Sequence, residues 1–395
     1  MARAVVAGAG IAGLTAALAL AAKGFSVVVL ERAEKLEEVG AGLQLSPNAT
    51  RILHQLGVLD DLQKDAVRPD AIVLKDATSL AVLAKVPLRP AAEERWGAPY
   101  LVAHRADLQR VLVEKVEQTP EITLRTGAEL IGTDFSSRGV TARVREQEGE
   151  REDEGDLLVG ADGVWSSLRQ LTGGKPSHFT GYVAYRAVVP RPVEDALTPN
   201  AVTAFLSPDF HLIAYPVRGG TATNLVVVAR SAEIRRGWAN VADMVHLLRV
   251  TTRAAPALSA VIHKAGAWTA WPVHATAGGG RWIDPRGLVL IGDAAHALTP
   301  YAAQGAAMAI EDAAALAALL AGRDSVAEAL AAFESLRKPR LDKVARRGDF
   351  NRFVWHAGGP VAVARNFALK LRSEQRLAAD LDWLYGYDAA RVERS

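Results

Sequence analysis

What most limits the fold of this chain is its N-terminal stretch, AVVAGAGIAGLTAALALAAKGFSVVVLE, residues 4–31. The apolar run at residues 4–7 reads as a short buried strand, and the apolar residues after Gly13 carry helical spacing. Between them Gly8, Gly10 and Gly13 form a G-x-G-x-x-G turn. The first glycine permits the tight bend, the second lets backbone approach a pyrophosphate, and the third lets helix pack on strand. Unpaired N–H groups at the helix start then face the phosphates. A second strand, residues 27–30, ends at Glu31, 18 positions after Gly13, where a carboxylate accepts hydrogen bonds from ribose hydroxyls. That acid disfavours a 2′-phosphate and leaves NAD or FAD. Arg3 ahead of an apolar run to Ala22 imitates a signal peptide, but a secretory segment has no use for spaced glycines or a second strand.

At 395 residues and 50% hydrophobic, the chain can bury a large core spread over two or three connected domains. Acids and bases nearly cancel, giving a formal net charge of +2, so no electrostatic footprint points to nucleic acid or an anionic membrane. With no cysteine there are no disulfides, thiolate nucleophiles or Cys-ligated zinc, which suits the cytoplasm. No histidine or carboxylate grouping has metal spacing, so no metal is expected. Outside the N-terminus no segment reaches the roughly 18 consecutive apolar residues of a membrane span. The closest, the alanine-rich run after Gly305, is interrupted by Glu311 and Asp312.

A simple NAD dehydrogenase completes its nucleotide site within one early domain, yet here two further signals come late. GDLLVGADGVWSSLR, residues 155–169, reads as a strand over 156–160, a turn at Asp162-Gly163 and a helix capped by Ser166. Alone it is an ordinary turn. GDAAHALTPYAAQGAAMAIEDA, residues 292–313, comes after a buried strand at residues 288–291. That strand delivers Asp293, whose carboxylate suits a polyol such as the ribityl chain of a flavin. After Pro300, the small Gly305 and Ala306 let a helix N-terminus come close to a flat ring, where its dipole favours negative charge by roughly 0.3 to 1 kcal/mol.

Taken in order, these motifs resemble those of the single-component FAD-dependent aromatic hydroxylases. GAGLQLSPNATRILHQLGVLD from Gly40 and HRADL at residues 104–108 add to the likeness. Within the family the chain is most similar to the branch of salicylate hydroxylase, 3-hydroxybenzoate 6-hydroxylase and 6-hydroxynicotinate 3-monooxygenase. The resemblance implies FAD on the glycine turn of Gly8, Gly10, Ala12 and Gly13, with Glu31 and Arg32 at the adenosine ribose. It implies Arg105 on the pyrophosphate side, a contribution from Asp162, Gly292 and Asp293 at the ribityl chain, and Pro300, Gly305 and Ala306 beneath the isoalloxazine. It also implies that NADH or NADPH, bound transiently, reduces the flavin, and that O2 then forms a C4a-hydroperoxide that hydroxylates an electron-rich ring. The expected fold is α/β and p-hydroxybenzoate hydroxylase-like. In it a Rossmann-like FAD-binding domain (residues 1–70, 100–175 and 276–345) is interleaved with a substrate-binding β-sheet domain (71–99 and 176–275), and a C-terminal helical segment (346–395) completes the chain. A homodimer fits the family.

Period-two runs such as YVAYRAVVP, HLIAYPVR and TNLVVVAR predict a half-buried antiparallel sheet over the ring. The charged run at residues 145–156 reads as a solvated hairpin tip, and residues 325–347 as a basic helix on the surface. In FHLIAYPVR, His211 and Tyr215 lie four apart and share one strand face. Composition alone makes them a surface histidine and a core tyrosine; the resemblance puts them in the substrate pocket, as base or donor to a phenol. Arg186 pairs either with a substrate carboxylate or with a structural acid. Gln304 faces the ring or merely begins a helix, His296 packs beside the flavin loop, and Tyr301 is a further substrate-side candidate. Pyridine-hydroxylating relatives tend to carry histidine where Tyr301 stands, and urate-hydroxylating ones a glycine-rich sequence after the proline. A small phenolic acid such as salicylate or a hydroxybenzoate is therefore expected. The alternatives are a larger or non-phenolic substrate, hydroxylated or epoxidised, and an NAD-binding sensor without turnover.

Overall fold

The computed structural model describes residues 2–36, 41–136, 139–190, 196–237, 240–276 and 280–391; Gly40, the first residue of the GAGLQLSPN motif, lies outside them. Two sheets organise the chain. The first has six strands in the order Ile283–Asp284, Leu288–Leu290, Leu157–Gly160, Arg3–Ala7, Ser26–Glu31 and Ile122–Thr126. All neighbours are parallel except the first pair. Strands reading LLVG and LVL are apolar throughout because a parallel sheet is covered on both faces. Helix Ile11–Ala21 and the buried helix Gly305–Gly322 pack together on one side, their alanines allowing close approach.

The second sheet has eight strands, ordered Asn240–Val241, Thr269–Ala275, His178–Pro190, Ala222–Arg230, Phe210–Val217, Ala201–Leu206, Ala71–Asp76 and Val82–Pro87. Its central strands depart from the half-buried pattern expected. Every residue of Phe210–Val217 but one is buried, as is every residue of Ala222–Arg230 except the last. One face meets helices Met244–Val250 and Pro256–Lys264 through Phe205, Phe210, Leu212, Leu225, Leu247, Leu258 and Ile262. The other face turns toward the first sheet.

Residues 145–156 do form a hairpin arm, between strands Gly139–Glu146 and Gly149–Gly155. Its Asp153 is buried and bonded to Arg3 and Arg125. The turn falls two residues later than expected, at Val164-Trp165: the Ser166 amide donates to the Gly163 carbonyl (3.0 Å). The turn leads into a 3-10 helix, Leu168–Thr172, with the Ser166 hydroxyl accepting from the Arg169 amide (3.1 Å).

The basic helix also differs from expectation. It runs Val326–Trp355, through residue 346, and two of its arginines are buried. Arg337 pairs with Glu311 (2.7 Å) and Asp312 (2.8 Å), and Arg340 with Glu311 (2.8 Å). Two carboxylates inside an apolar core helix require such partners, since a lone buried charge is strongly destabilising. Helix Gly305–Gly322 is long and apolar enough to cross a membrane, but most of it is buried inside this core. Helices Gly359–Lys370, Glu374–Ala379 and Asp382–Tyr385 complete the chain's described part.

Candidate active site

Between the two sheets lies a cavity of about 320 Å³. Its floor is built from backbone. Gly8 has φ +108°, and a Cβ there would stand 2.5 Å from the Ala161 carbonyl oxygen; one on Gly13 would collide with the Gly8 carbonyl. Gly10, with ordinary φ of −76°, has nothing within 4 Å of where its Cβ would be. Gly10 caps helix Ile11–Ala21 with no side-chain hydrogen bond, which leaves the first N–H groups for an anion. Gly10, Ile11 and Ala12 line the cavity.

The Glu31 carboxylate is fixed by the amides of Ala9 (2.9 Å) and Ala33 (3.0 Å), whereas Arg32 is exposed and not on the lining. One Asp162 oxygen accepts from the amide (2.9 Å) and hydroxyl of Ser167, and its other oxygen is buried without a partner; its neighbours Ala161 and Gly163 line the cavity.

The far end of the floor comes from residues 292–306. Gly292 has φ +56° and its amide donates to Asp312 (2.9 Å), which also meets His296 Nε2 (2.5 Å) and Arg337. Burial pushes the Asp312 carboxyl up, but His296, Arg337 and the Gly292 amide outweigh it and hold the pKa below its ordinary value. This buried anchor sets the start of the Asp293 turn, and Asp293 itself is exposed on the lining, opposite Arg105. Burial lowers the Arg105 pKa while Asp293 raises it. Pro300, Gln304, Gly305 and Ala306 continue the lining, with helix Gly305–Gly322 opening uncapped by any side chain. Gln304 is held by Ser46 (3.0 Å) and Asn48 (3.2 Å), so it both begins the helix and faces the cavity.

The roof is built from side chains. His211, Ile213 and Tyr215 alternate on one strand and all line the cavity, joined by Val226, Val228 and Arg186. His211 is only 1% exposed. Burial, then the neighbouring His356, hold its pKa well below the usual 6.5, so the ring is neutral. Tyr215 is pushed up by burial, with Arg186 opposing. Arg186 is half-buried, stacks on Trp271 at 4.6 Å, and has no ion pair among the described residues; its Nε lacks any hydrogen-bond partner. Among the described residues no acid pairs with Arg186 to make the structural alternative.

Three features escaped the sequence reading. Asn224 accepts from the Gly42 amide (2.6 Å) beside Tyr215. His356, at the end of the long helix, meets His211 Nδ1 at 2.9 Å. Tyr301 faces not this cavity but a larger apolar one of about 900 Å³ under the C-terminal helices, which shares Gln44, Ile213, Pro300 and Ala303 with the first. Among the described residues no group of three or more His, Asp or Glu side chains is placed to hold a metal ion.

A glycine-turn floor beneath a sheet roof, with an exposed acid at its far end, defines a dinucleotide-binding α/β protein. The family profile described as FAD binding domain matches residues 1–348. The chain is 36% identical over 390 residues to 3-hydroxybenzoate 6-hydroxylase 1 of Aquipseudomonas alcaligenes, covering 97% of each. It is 34% identical over 399 residues to 3-amino-4-hydroxybenzoate 2-monooxygenase of Streptomyces cremeus, covering 100% of this chain and 97% of that protein. The structure of Klebsiella pneumoniae HpxO complexed with FAD and uric acid matches with a TM-score of 0.82 at 25% identity, over 96% of this chain and 95% of that one. The chain belongs to the FAD-binding-domain family, among the single-component FAD-dependent aromatic hydroxylases, and is an FAD-dependent monooxygenase. The floor suits the cofactor: the space at Gly10, the uncapped helix starts and the facing Arg105 and Asp293 are what a pyrophosphate, ribityl chain and ring require.

Proposed function

We propose that this enzyme hydroxylates a small phenolic acid of the salicylate or hydroxybenzoate type, using NADH or NADPH and O2. One observation carries the reading: a single cavity presents a guanidinium with no acid partner among the described residues, Arg186, together with a histidine kept neutral, His211. Arg186 takes the substrate carboxylate by charge-assisted hydrogen bonds. His211 accepts the phenol proton, making the ring electron-rich, because a neutral imidazole near the phenol is a base. Tyr215, whose pKa burial raises, stays protonated and donates a hydrogen bond to the substrate, while Gln304, fixed by Ser46 and Asn48, orients the ring.

When bound, FAD would supply the redox chemistry, electron uptake from the nicotinamide and activation of O2. Gly8, Gly10, Ala12 and Gly13 hold its pyrophosphate with Arg105, Glu31 and Arg32 its ribose, and Gly292 and Asp293 its ribityl chain. Asp162, with one carboxylate oxygen unpartnered, would bind the cofactor as well, and Pro300, Gly305 and Ala306 would receive the ring. Residues 1–70, 100–175 and 276–345 make the FAD-binding domain, 71–99 and 176–275 the substrate domain, and 346–395 the helical end. The cysteine-free composition suits a cytoplasmic enzyme. Exposed Phe350, Phe353, Phe367 and Leu371 give a homodimer an apolar face to cover.

The 900 Å³ cavity beside the first favours one second reading, a larger or non-phenolic substrate. Purified protein is tested by its visible spectrum and then by NADH and NADPH oxidation with salicylate, 3-hydroxybenzoate, 4-hydroxybenzoate and 6-hydroxynicotinate. Flavin bands, with oxidation stimulated by one phenolic acid and a hydroxylated product, are expected. Flavin bands without stimulation by any of them move the assignment to the larger substrate, and protein that cannot take up FAD ends both readings.

A further inference from the structure

We propose that His356 is the second station of a proton relay that carries the phenol proton out of the cavity through His211. The relay rests on the reading of His211 as the base. His211 Nδ1 and His356 Nε2 stand 2.9 Å apart, a distance at which one ring donates and the other accepts. His211 is buried on the cavity wall, and His356 is partly exposed, so the pair spans from the cavity wall toward the surface. Their rings are boxed by Tyr301, Tyr182 and Trp355. Arg365 holds the end of the long helix by donating to the carbonyls of Val354 (2.9 Å) and Trp355 (3.3 Å), which keeps His356 in register with the sheet.

The transfer balances without electron exchange. The phenol O–H breaks as an N–H forms at His211 Nε2, and the Nδ1 proton of His211 passes to His356 Nε2. The proton on His356 Nδ1 then leaves to water. Both rings end neutral in the opposite tautomer, and reprotonation of the product hydroxyl runs the steps backward and resets them. A lone His211 would instead hold the proton as a cation on a fully buried ring beside His356, which burial disfavours and the relay avoids.

The charged and titratable groups around the pair fit this direction of travel. His356 faces Arg352 on its own helix, Arg230 at the end of a roof strand, and Asp209 in the turn before His211. Burial, with the two arginines, lowers its pKa to about 4 and Asp209 opposes them. Both rings are thus neutral above pH 6.5, and wild-type proton loss is expected not to vary with pH there.

The test mixes holoenzyme rapidly with 3-hydroxybenzoate and follows phenolate absorbance from pH 6 to 9 in wild type, H211Q, H356F and H356Q. In H356F and H356Q proton loss is expected to slow on the order of tenfold or more at pH 7. It should recover with rising pH and with added imidazole, while FAD content and 3-hydroxybenzoate affinity stay close to wild type. Glutamine keeps a hydrogen bond to His211 but passes no proton. A fast H356Q beside a slow H356F therefore makes His356 a positioning residue only and overturns the relay. H356F and H356Q both at the wild-type rate, with H211Q abolished, also overturn the relay but leave the base. Phenolate absent in wild type, or normal in H211Q, removes the base and the relay with it.

Discussion

On the floor of the cavity the contacts offered to a ligand are mainly backbone, from Gly10, Ile11, Ala161, Gly163 and Gly305, with Arg105 and Asp293 as the charged exceptions. On the roof they are side chains, His211 and Tyr215 on one strand and Arg186 on another, joined through the strand Ala222–Arg230 that pairs with both. Backbone N–H groups at helix starts recognise phosphate whatever the neighbouring side chains are, so a floor of this kind can serve one cofactor for many reactions. A roof of side chains can be changed one residue at a time, and it is where substrate choice resides. Changes on the roof should therefore alter turnover and substrate preference while leaving FAD in place, and changes on the floor should do the reverse.

The largest effect is expected at His211. H211Q keeps FAD but lowers kcat for hydroxylation by roughly 10² to 10⁴, the range of a positioned general base; flavin absorbance against product formation measures it. If FAD is lost as well, floor and roof are not separable at this point. Arg186→Met is next. It should raise KM for a carboxylate-bearing substrate by roughly ten- to 150-fold, from about 1.5–3 kcal/mol of charge-assisted hydrogen bonding, with a much smaller change for the same phenol lacking its carboxylate. Because Arg186 has no ion pair among the described residues, removing it leaves none of their acids unpaired, and Tm should fall little. A marked drop in Tm with unchanged KM would make Arg186 structural.

The same division explains what the sequence disclosed. The floor is legible because its geometry is local: spaced glycines between strand and helix, and an acid where a strand ends. Residues 292–306 were readable for the same reason, a proline and small residues where a helix must approach a ring. His211 and Tyr215 could be set on one face by their spacing, but strand alternation does not say what covers that face. The two-sided burial of the roof comes from helices Met244–Val250 and Pro256–Lys264, whose docking leaves no trace in the strand pattern. His356 reaches the site from 145 positions away, and no local pattern marks it. The buried Arg337 and Arg340 did have a signal. Glu311 and Asp312 interrupt an otherwise apolar helix, and acids that deep are almost always paired, so basic partners were to be sought in the next helix.

On the floor, Gly10→Ala is the sharper test of backbone recognition. Gly10 has an ordinary φ and open space about it, so the apoprotein should keep its Tm, within the roughly 0.5 kcal/mol of a neutral surface change. The methyl would stand where the pyrophosphate approaches, so FAD affinity should fall about tenfold, equivalent to about 1.4 kcal/mol. Fluorescence titration of apoprotein with FAD reads this directly. Gly13→Ala, in contrast, collides with the Gly8 carbonyl and should lower apoprotein stability by about 1–3 kcal/mol. Equal apoprotein stability for the two variants would mean that the glycine turn does not adopt this geometry.

The smallest effect expected is the pH dependence of the roof. In the unfolded chain His211 and His356 titrate near 6.5, whereas the fold depresses both, His356 to about 4 and His211 well below its ordinary value. Between these limits the unfolded state binds more protons, so their contribution to stability is fully present above pH 6.5 and is lost as pH falls toward 4. His356 alone should remove about 1–2 kcal/mol between pH 6.5 and pH 5. Other groups titrate over the same range, so the informative quantity is the difference between wild type and H356F. Thermal melts at pH 7, 6 and 5 should show a shallower loss of Tm in H356F, and parallel curves would mean that the pair is not held neutral by burial and that the roof carries a charge at the pH of catalysis.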